Sequence, residues 1–463
     1  MATTIEQEPL YSQLPVGQEV IFVVSNTPIL SNPIFTNFRF IADVYISDNN
    51  PTAISSTSVP IATFKTTPNN AGVGIFDFKQ VVENYVSADN MAFDNSEYKG
   101  ITTTDDTPHP LHLIDKYSRN KKAARWLNIE FKTQYTDANG DVQIDTPIIA
   151  NDNYQIFNGY LKYTDELSIF NNDFGFDLGN FNLSSDTDRF LTNAPAAQYA
   201  NLEDYGTIAY LAPNGNVSYI KLIYKNSSNV QIGTENITRN YSNGAYTNFG
   251  SEIRKRIVYF GCFPANLMRD GSSIFAGLVS AGTIQGGSIV VQAFSTSGAI
   301  SKGYTININC PNLKGYESIR LCWLNQWGAW DYYTFTQKSV RSISTKGSTY
   351  EQLAGTWNEA AYRVDSYKGG KKAFRVNATE KITMNSDFVS ESENDMFEEL
   401  INSPEVYILE GYQTDVSFSA LNQYVKPVRL TTSSFTKKTV ANDKLIQYTF
   451  EVEKSKTLRT QSV

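Results

Sequence analysis

Histidine is nearly absent from this chain, with two in 463 residues, His109 and His112, both in the loop "DDTPHPLHLID". Any Ser-His-Asp or Cys-His system must recruit one of them, and no G-x-S-x-G elbow or catalytic-cysteine signature is present. Pro108 and Pro110 exclude a helix, so the imidazoles do not share a helical face. With Asp105, Asp106 and Asp115 nearby, the expectation is still a surface loop rather than a metal site. Cysteine is equally scarce. Cys262, Cys310 and Cys322 make an odd count with no CxxC, which excludes a disulfide framework, disfavours zinc and fits reduced thiols. There is no G-x-x-x-x-G-K-S/T phosphate loop, and a GxGxxG start at Gly72 and Gly74 fails at Asp77. No cofactor, metal ligand or catalytic residue is therefore expected.

Long apolar runs are missing too, so no membrane anchor is expected. The opening "MATTIEQEPLYSQL" has neither a basic n-region nor an apolar h-region, and a secretory signal is not expected. Without one, sequons such as those at Asn182, Asn216, Asn236 and Asn377 carry little weight as glycosylation sites. The net charge of -8 offers no general nucleic-acid footprint. Local basic clusters (Arg119 to Arg125, Arg254 to Arg256, Lys368 to Arg375) read as solvated faces or subunit salt bridges. The 47 Asp and Glu residues offer many acid pairs of glycosidase type, which a sequence cannot place in space.

What the chain has in quantity is aromatic residues: 28 Tyr and 27 Phe against 5 Met, a bias toward sheets. Apolar residues make up 41%, enough for substantial cores. In "FRFIADVYIS" Phe38, Phe40, Ala42, Val44 and Ile46 share one face of a strand, and "VPIATFKT" supplies a partner. "GVGIFDFKQVVENYVS" turns into a short helix. "LNIEFKTQYTDANGDVQIDT" is a hairpin about Asn139-Gly140, with positive φ expected at the turn. Its acidic tip lacks the EF-hand's glycine and distant glutamate, so a solvated turn is expected. Short strands alternate with polar turns through the middle third: "YGTIAYL", "VSYIKLIYKNSSNVQIG", "KRIVYFGCF", "GSIVVQAF" and "GYTININ".

After residue 340 the texture changes. "TKGSTYEQLAGTWNE" and "YKGGKKAF" read as exposed loops or strand edges, with lysines that discourage stray pairing. "SESENDMFEELINSPEV" predicts a helix capped at Ser392, with Met396, Phe397, Leu400 and Ile401 as its apolar stripe and Pro404 as its stop. A last strand, after an Asn442-Asp443 turn, places Ile446, Tyr448, Phe450 and Val452 on one face. The predicted fold class is mainly β: several β-sandwich domains, Ig-like or jelly-roll-like, with a C-terminal α+β element. Predicted domains are 1–155, 156–340 and 341–463.

"LCWLNQWGAWDYYTF" (321–335) holds three of the five tryptophans. Alternation predicts strands over 319–324 and 330–335 joined by a turn at 325–329. Exposed Trp beside Asp or Asn is a sugar-stacking device, but cross-strand aromatic pairs also stabilise sheets, by roughly 0.2–1 kcal/mol each. Packing, or a subunit contact through Trp327, Trp330, Tyr332 and Tyr333, is the favoured reading over sugar binding.

Several segments, in collinear order, resemble tail-associated structural proteins of phages infecting Bacteroidetes, the crAss-like short-tailed phages foremost. They are "FRFIADVYIS", "GIFDFKQVVENYV", "FLTNAP", "DYGTIAYL", "RLCWLNQWGAWDYYTF" and the C-terminal "FEELINSPEVYI", "VKPVRL" and "NDKLIQYTFEVE". The resemblance implies a non-enzymatic virion component, assembled in the host cytoplasm as a ring, hub or baseplate around the tail axis. It further implies a cyclic homo-oligomer of six or twelve copies, other tail proteins as partners, and no sequence-specific nucleic-acid binding. No heptad or collagen-like stalk favours a long fibre instead. A surface appendage that binds or cleaves host glycans is the alternative.

Overall fold

The computed structural model describes residues 2–47, 58–88, 111, 117–120, 123–150, 154–162, 165, 177–211, 217–238, 257–269, 273–309, 315–410, 424–440 and 445–459. The histidine loop, Cys310 and the Asn442-Asp443 turn lie outside the described residues. The protein is mainly β, with 46% strand and 12% helix in several sandwich-like sheets. It divides into two compact units. One comprises Met1–Cys310 with Leu324–Asp331, and the other Pro311–Trp323, Tyr332–Gly411 and Asn422–Val463.

The first unit begins as a sandwich. One sheet runs Gln13–Pro15, Tyr154–Phe157, Ala124–Thr136, Thr36–Ser47, Ala62–Thr66, with Val142–Ile144 and Ile148–Ile149 also on Ala124–Thr136. The other runs Thr4–Gln7, Ile21–Ser25, Val73–Asp77. Alternation explains the core: Phe40, Ala42 and Val44 point inward from one strand, Phe22 and Val24 from another. Phe22 meets Tyr154 edge-on at 5.3 Å and Phe131 at 5.7 Å, so rings from the two inner faces interdigitate. The short helix after Val73–Asp77 is present as Lys79–Val82, with Val82 buried.

At the predicted hairpin, Thr136 pairs with Val142, and Asp137 accepts from the backbone N–H of Asn139 at 2.9 Å and of Asp141 at 3.0 Å. Only Gly140 takes positive φ, +84°; Asn139 does not. The loop is thus longer than a two-residue turn, and its Asp137 cap replaces the second left-handed residue. The unit continues with a five-stranded sheet ordered Ala197–Ala200, Tyr304–Ile308, Ser288–Phe294, Tyr219–Lys225, Gln231–Thr238. A three-stranded sheet follows the order Thr207–Tyr210, Ile257–Gly261, Tyr117–Asn120.

The second unit is built on an eight-stranded sheet. Its order is Trp330–Phe335, Ile319–Leu324, Val406–Leu409, Val425–Leu430, Thr449–Lys454, Gly370–Asn385, Val340–Gln352, with Leu458–Arg459 also on Gly370–Asn385. The Trp-rich hairpin, expected to close a central region ending at 340, pairs with Val406–Leu409 and so joins the C-terminal sheet. The helix Asn394–Asn402 buries Met396, Phe397 and Leu400. Phe397 lies 4.9 Å from Tyr333 and 5.4 Å from Phe450, anchoring the helix on the sheet. Its lead-in starts earlier than expected. A 3-10 turn Glu391–Glu393 is capped at Ser390, not Ser392, and the Ser390 N–H donates to Glu393 at 2.9 Å.

Candidate interaction surface

The Trp-rich hairpin forms strands over Ile319–Leu324 and Trp330–Phe335, as its alternation predicts. Asn325 shapes the turn between them: its side-chain oxygen accepts from the N–H groups of Trp327 and Ala329, each at 3.0 Å. Its amide donates to the carbonyl of Leu191 at 3.0 Å. Gly328 sits at φ +70°, where a Cβ would fall 2.0 Å from the carbonyl oxygen of Asn158. Only glycine fits so close a backbone approach.

This geometry overturns the expected subunit contact at the tip. Trp327 is 1% exposed, Trp330 3% and Tyr332 3%, all within the single chain, while Tyr333 is half-buried. The Trp327 ring lies 4.0 Å from that of Phe181, and its Nε1–H donates to Asn193 at 3.2 Å. Tyr332 lies beneath the Arg320 guanidinium at 5.2 Å, and Arg320 donates to Thr334 at 2.7 Å. Tyr333 rests edge-on against Phe335 and Phe397, both at 4.9 Å. Trp327, Trp330 and Tyr332, which look like interface anchors in the sequence, are core residues, and Trp323 beside them is fully buried. No sugar-stacking platform exists on this hairpin.

The tip also encloses a carboxylate. Asp331 is buried, accepts from the Thr192 hydroxyl at 2.5 Å, and has no partner for Oδ2 among the described residues. Burial raises its carboxyl to about 6, against the opposing hydrogen bonds of Thr192 and Asn325. Among the described residues no cluster of three or more His, Cys, Asp or Glu side chains is placed to hold a metal ion.

Exposed apolar surface is concentrated elsewhere, in segments the sequence marks as loops or edges. Val340–Gln352 and Gly370–Asn385 pair antiparallel from Val340↔Thr383 to Gln352↔Gly370, with one bulge between Ser348 and Thr349. The result is a long two-stranded ribbon. Among the described residues, only its Gly370–Asn385 strand pairs further into the sheet, through residues 377–378 and 381–385. Val340–Gln352 is the edge strand. Its base is tied by Arg341, which donates to Glu317 at 2.5 Å and Glu380 at 3.0 Å, and by Lys454 on Glu380 at 2.8 Å.

The loop 353–369 at the far end has its own structure. The Thr356 N–H donates to the Arg363 carbonyl at 3.0 Å and the Arg363 N–H to the Thr356 hydroxyl at 3.0 Å, the Thr356 hydroxyl donates to the Ala361 carbonyl at 2.9 Å, and Trp357 packs edge-on against Tyr362 at 5.6 Å. Gly355 (φ +98°) lets the Tyr362 ring approach. On this frame Leu353, Trp357, Tyr362, Val364, Tyr367 and Phe374 are all half exposed or more, Trp357 at 63% and Tyr367 at 71%. Monomers seldom present so many large apolar groups in one short stretch without a partner for them. A two-stranded ribbon is itself marginal in water, which adds to the need for cover. No protein-family model and no curated protein matches the chain.

Proposed function

We propose that this chain is a non-enzymatic structural protein of a phage tail, a ring, hub or baseplate component that assembles as a cyclic homo-oligomer around the tail axis. The observation that carries the assembly reading is the 340–385 ribbon, an ordered projection whose apolar tip suits a protein partner better than water. The collinear resemblance to tail-associated proteins of short-tailed phages supports the tail setting. Under this reading the chain acts by position and contact: its cores keep each copy folded, its ribbon joins copies, and other tail proteins complete the particle. It resides in the virion after assembly in the host cytoplasm.

The test has two arms. Gold-labelled antibody against the chain should decorate the tail of purified particles, and native mass spectrometry of the purified chain should give one closed oligomer. The reading is refuted by absence from the particles. It is equally refuted if the chain releases reducing ends from host capsule polysaccharide and one Asp or Glu substitution abolishes that release.

A further inference from the structure

Charge is distributed unevenly along the second unit. Residues 340–385 hold eight Lys and Arg against four Asp and Glu, a formal +4 in a chain of -8, which leaves -12 for the remainder. Residues 386–410, immediately after, hold eight Asp and Glu and no Lys or Arg. In that acidic stretch Asp387, Glu391 and Asp395 are exposed, and Phe388 beside them is 58% exposed. Lys437 answers part of the charge, pairing with Asp395 at 2.9 Å and Glu398 at 2.8 Å. On the ribbon, Lys346, Lys371 and Arg375 are exposed and form no ion pair among the described residues.

The chain thus presents two complementary surfaces, one cationic with exposed rings and one anionic with an exposed ring, and those three cations are not spent on each other's acids within a copy. We propose that the ribbon docks on a second copy of this chain, its cations and apolar tip seated on that neighbour's 387–399 stretch around Phe388. This rests on the assembly reading above and names the contact that performs it. Because donor and receiver are different patches, the contact is heterologous: each copy gives a ribbon and accepts one, and such contacts repeat until the rotation closes a ring. Opposite potentials steer and orient the encounter, and the apolar tip supplies the area removed from water. Cations interleaved with aromatic rings also suit single-stranded nucleic acid. The net -12 outside the ribbon opposes a polyanion and favours a partner that carries those acids.

The experiment uses the full chain with p-benzoylphenylalanine in place of Tyr367. Light and heavy-nitrogen preparations are mixed, irradiated and mapped by mass spectrometry. Mixed-isotope crosslinks from 367 into the 387–399 peptide are expected, weakening as salt rises. The triple substitution Lys346→Glu, Lys371→Gln, Arg375→Glu breaks no ion pair among the described residues and sets no second carboxylate opposite Glu351, which faces residue 371 across the ribbon. It should lower crosslink yield about tenfold while the urea midpoint stays in place. Crosslinks confined to one isotope, landing elsewhere on the chain, or found on DNA or another tail protein in particles would overturn the proposal, as would undiminished yield from the triple variant. Absence of the chain from particles, by contrast, strikes the assembly reading without touching this crosslink.

Discussion

Replacing Asp331 by Asn should change how folding responds to pH. The carboxyl titrates near 3.9 in an unfolded chain and at about 6 in the fold, because burial penalises its charged form. The folded state therefore holds the proton more tightly. That contribution to stability is complete below about pH 4, falls as pH rises through 6, and is then gone. Two pH units at about 1.4 kcal/mol each make the loss ~3 kcal/mol. Asparagine keeps an oxygen for the 2.5 Å bond from Thr192 but cannot ionise. Urea unfolding of both proteins from pH 4 to 8, followed by tryptophan fluorescence, measures the difference. Glu380, held below the usual carboxylate range by the Lys454 hydrogen bond, titrates alike in both proteins and cancels. The variant should gain ~3 kcal/mol on wild type between pH 4 and pH 7. A difference that stays flat within about 0.5 kcal/mol across the range would refute the burial argument for Asp331.

Trp323→Ala should destabilise by about 3–5 kcal/mol in the same assay, since the ring is fully buried; a loss below about 1 kcal/mol would place it outside a core. Gly328→Ala should cost more than about 2 kcal/mol or abolish soluble expression, because positive φ and a 2.0 Å approach to Asn158 act together. Gly140→Ala, at φ +84° but with open space around it, should cost only about 1 kcal/mol, and equal losses at the two glycines would remove the steric half of the argument. Trp357→Ala should change the unfolding free energy by less than about 0.5 kcal/mol yet weaken self-association in sedimentation velocity; a large stability loss with unchanged association would mean the ring belongs to a core.

Period-two alternation made most strands legible, because a strand buried on one face must alternate. Thr36–Ser47 and Tyr219–Lys225 are cases where Phe40, Val44, Ile220 and Leu222 announce the inner face. The same logic hid the ribbon. Val340–Gln352 is solvated on both faces, so burial imposes no alternation and its sequence resembles a loop. The burial of Trp327 escapes the sequence for a different reason. What covers Trp327 is Phe181 and Asn193, more than a hundred positions away, and local spacing carries no record of such neighbours. Trp and Tyr serve cores and contacts equally well, so residue type could not choose between Trp327 and Trp357.

Strand order in the first sandwich also sets a clock. Gln13–Pro15 lies parallel to Tyr154–Phe157, with Gln13 opposite Gln155. Its partner is therefore made about 140 residues later, roughly 7–28 s at ordinary translation speeds. Ala197–Ala200 waits similarly for Tyr304–Ile308, its parallel neighbour. During synthesis the nascent chain carries strands whose edges are still open, among them the fully buried Gln13–Pro15 segment and the apolar Ile21–Ser25. Such non-local pairing folds slowly and exposes sticky intermediates, so the yield of native protein should depend on translation rate and chaperone supply more than on final stability.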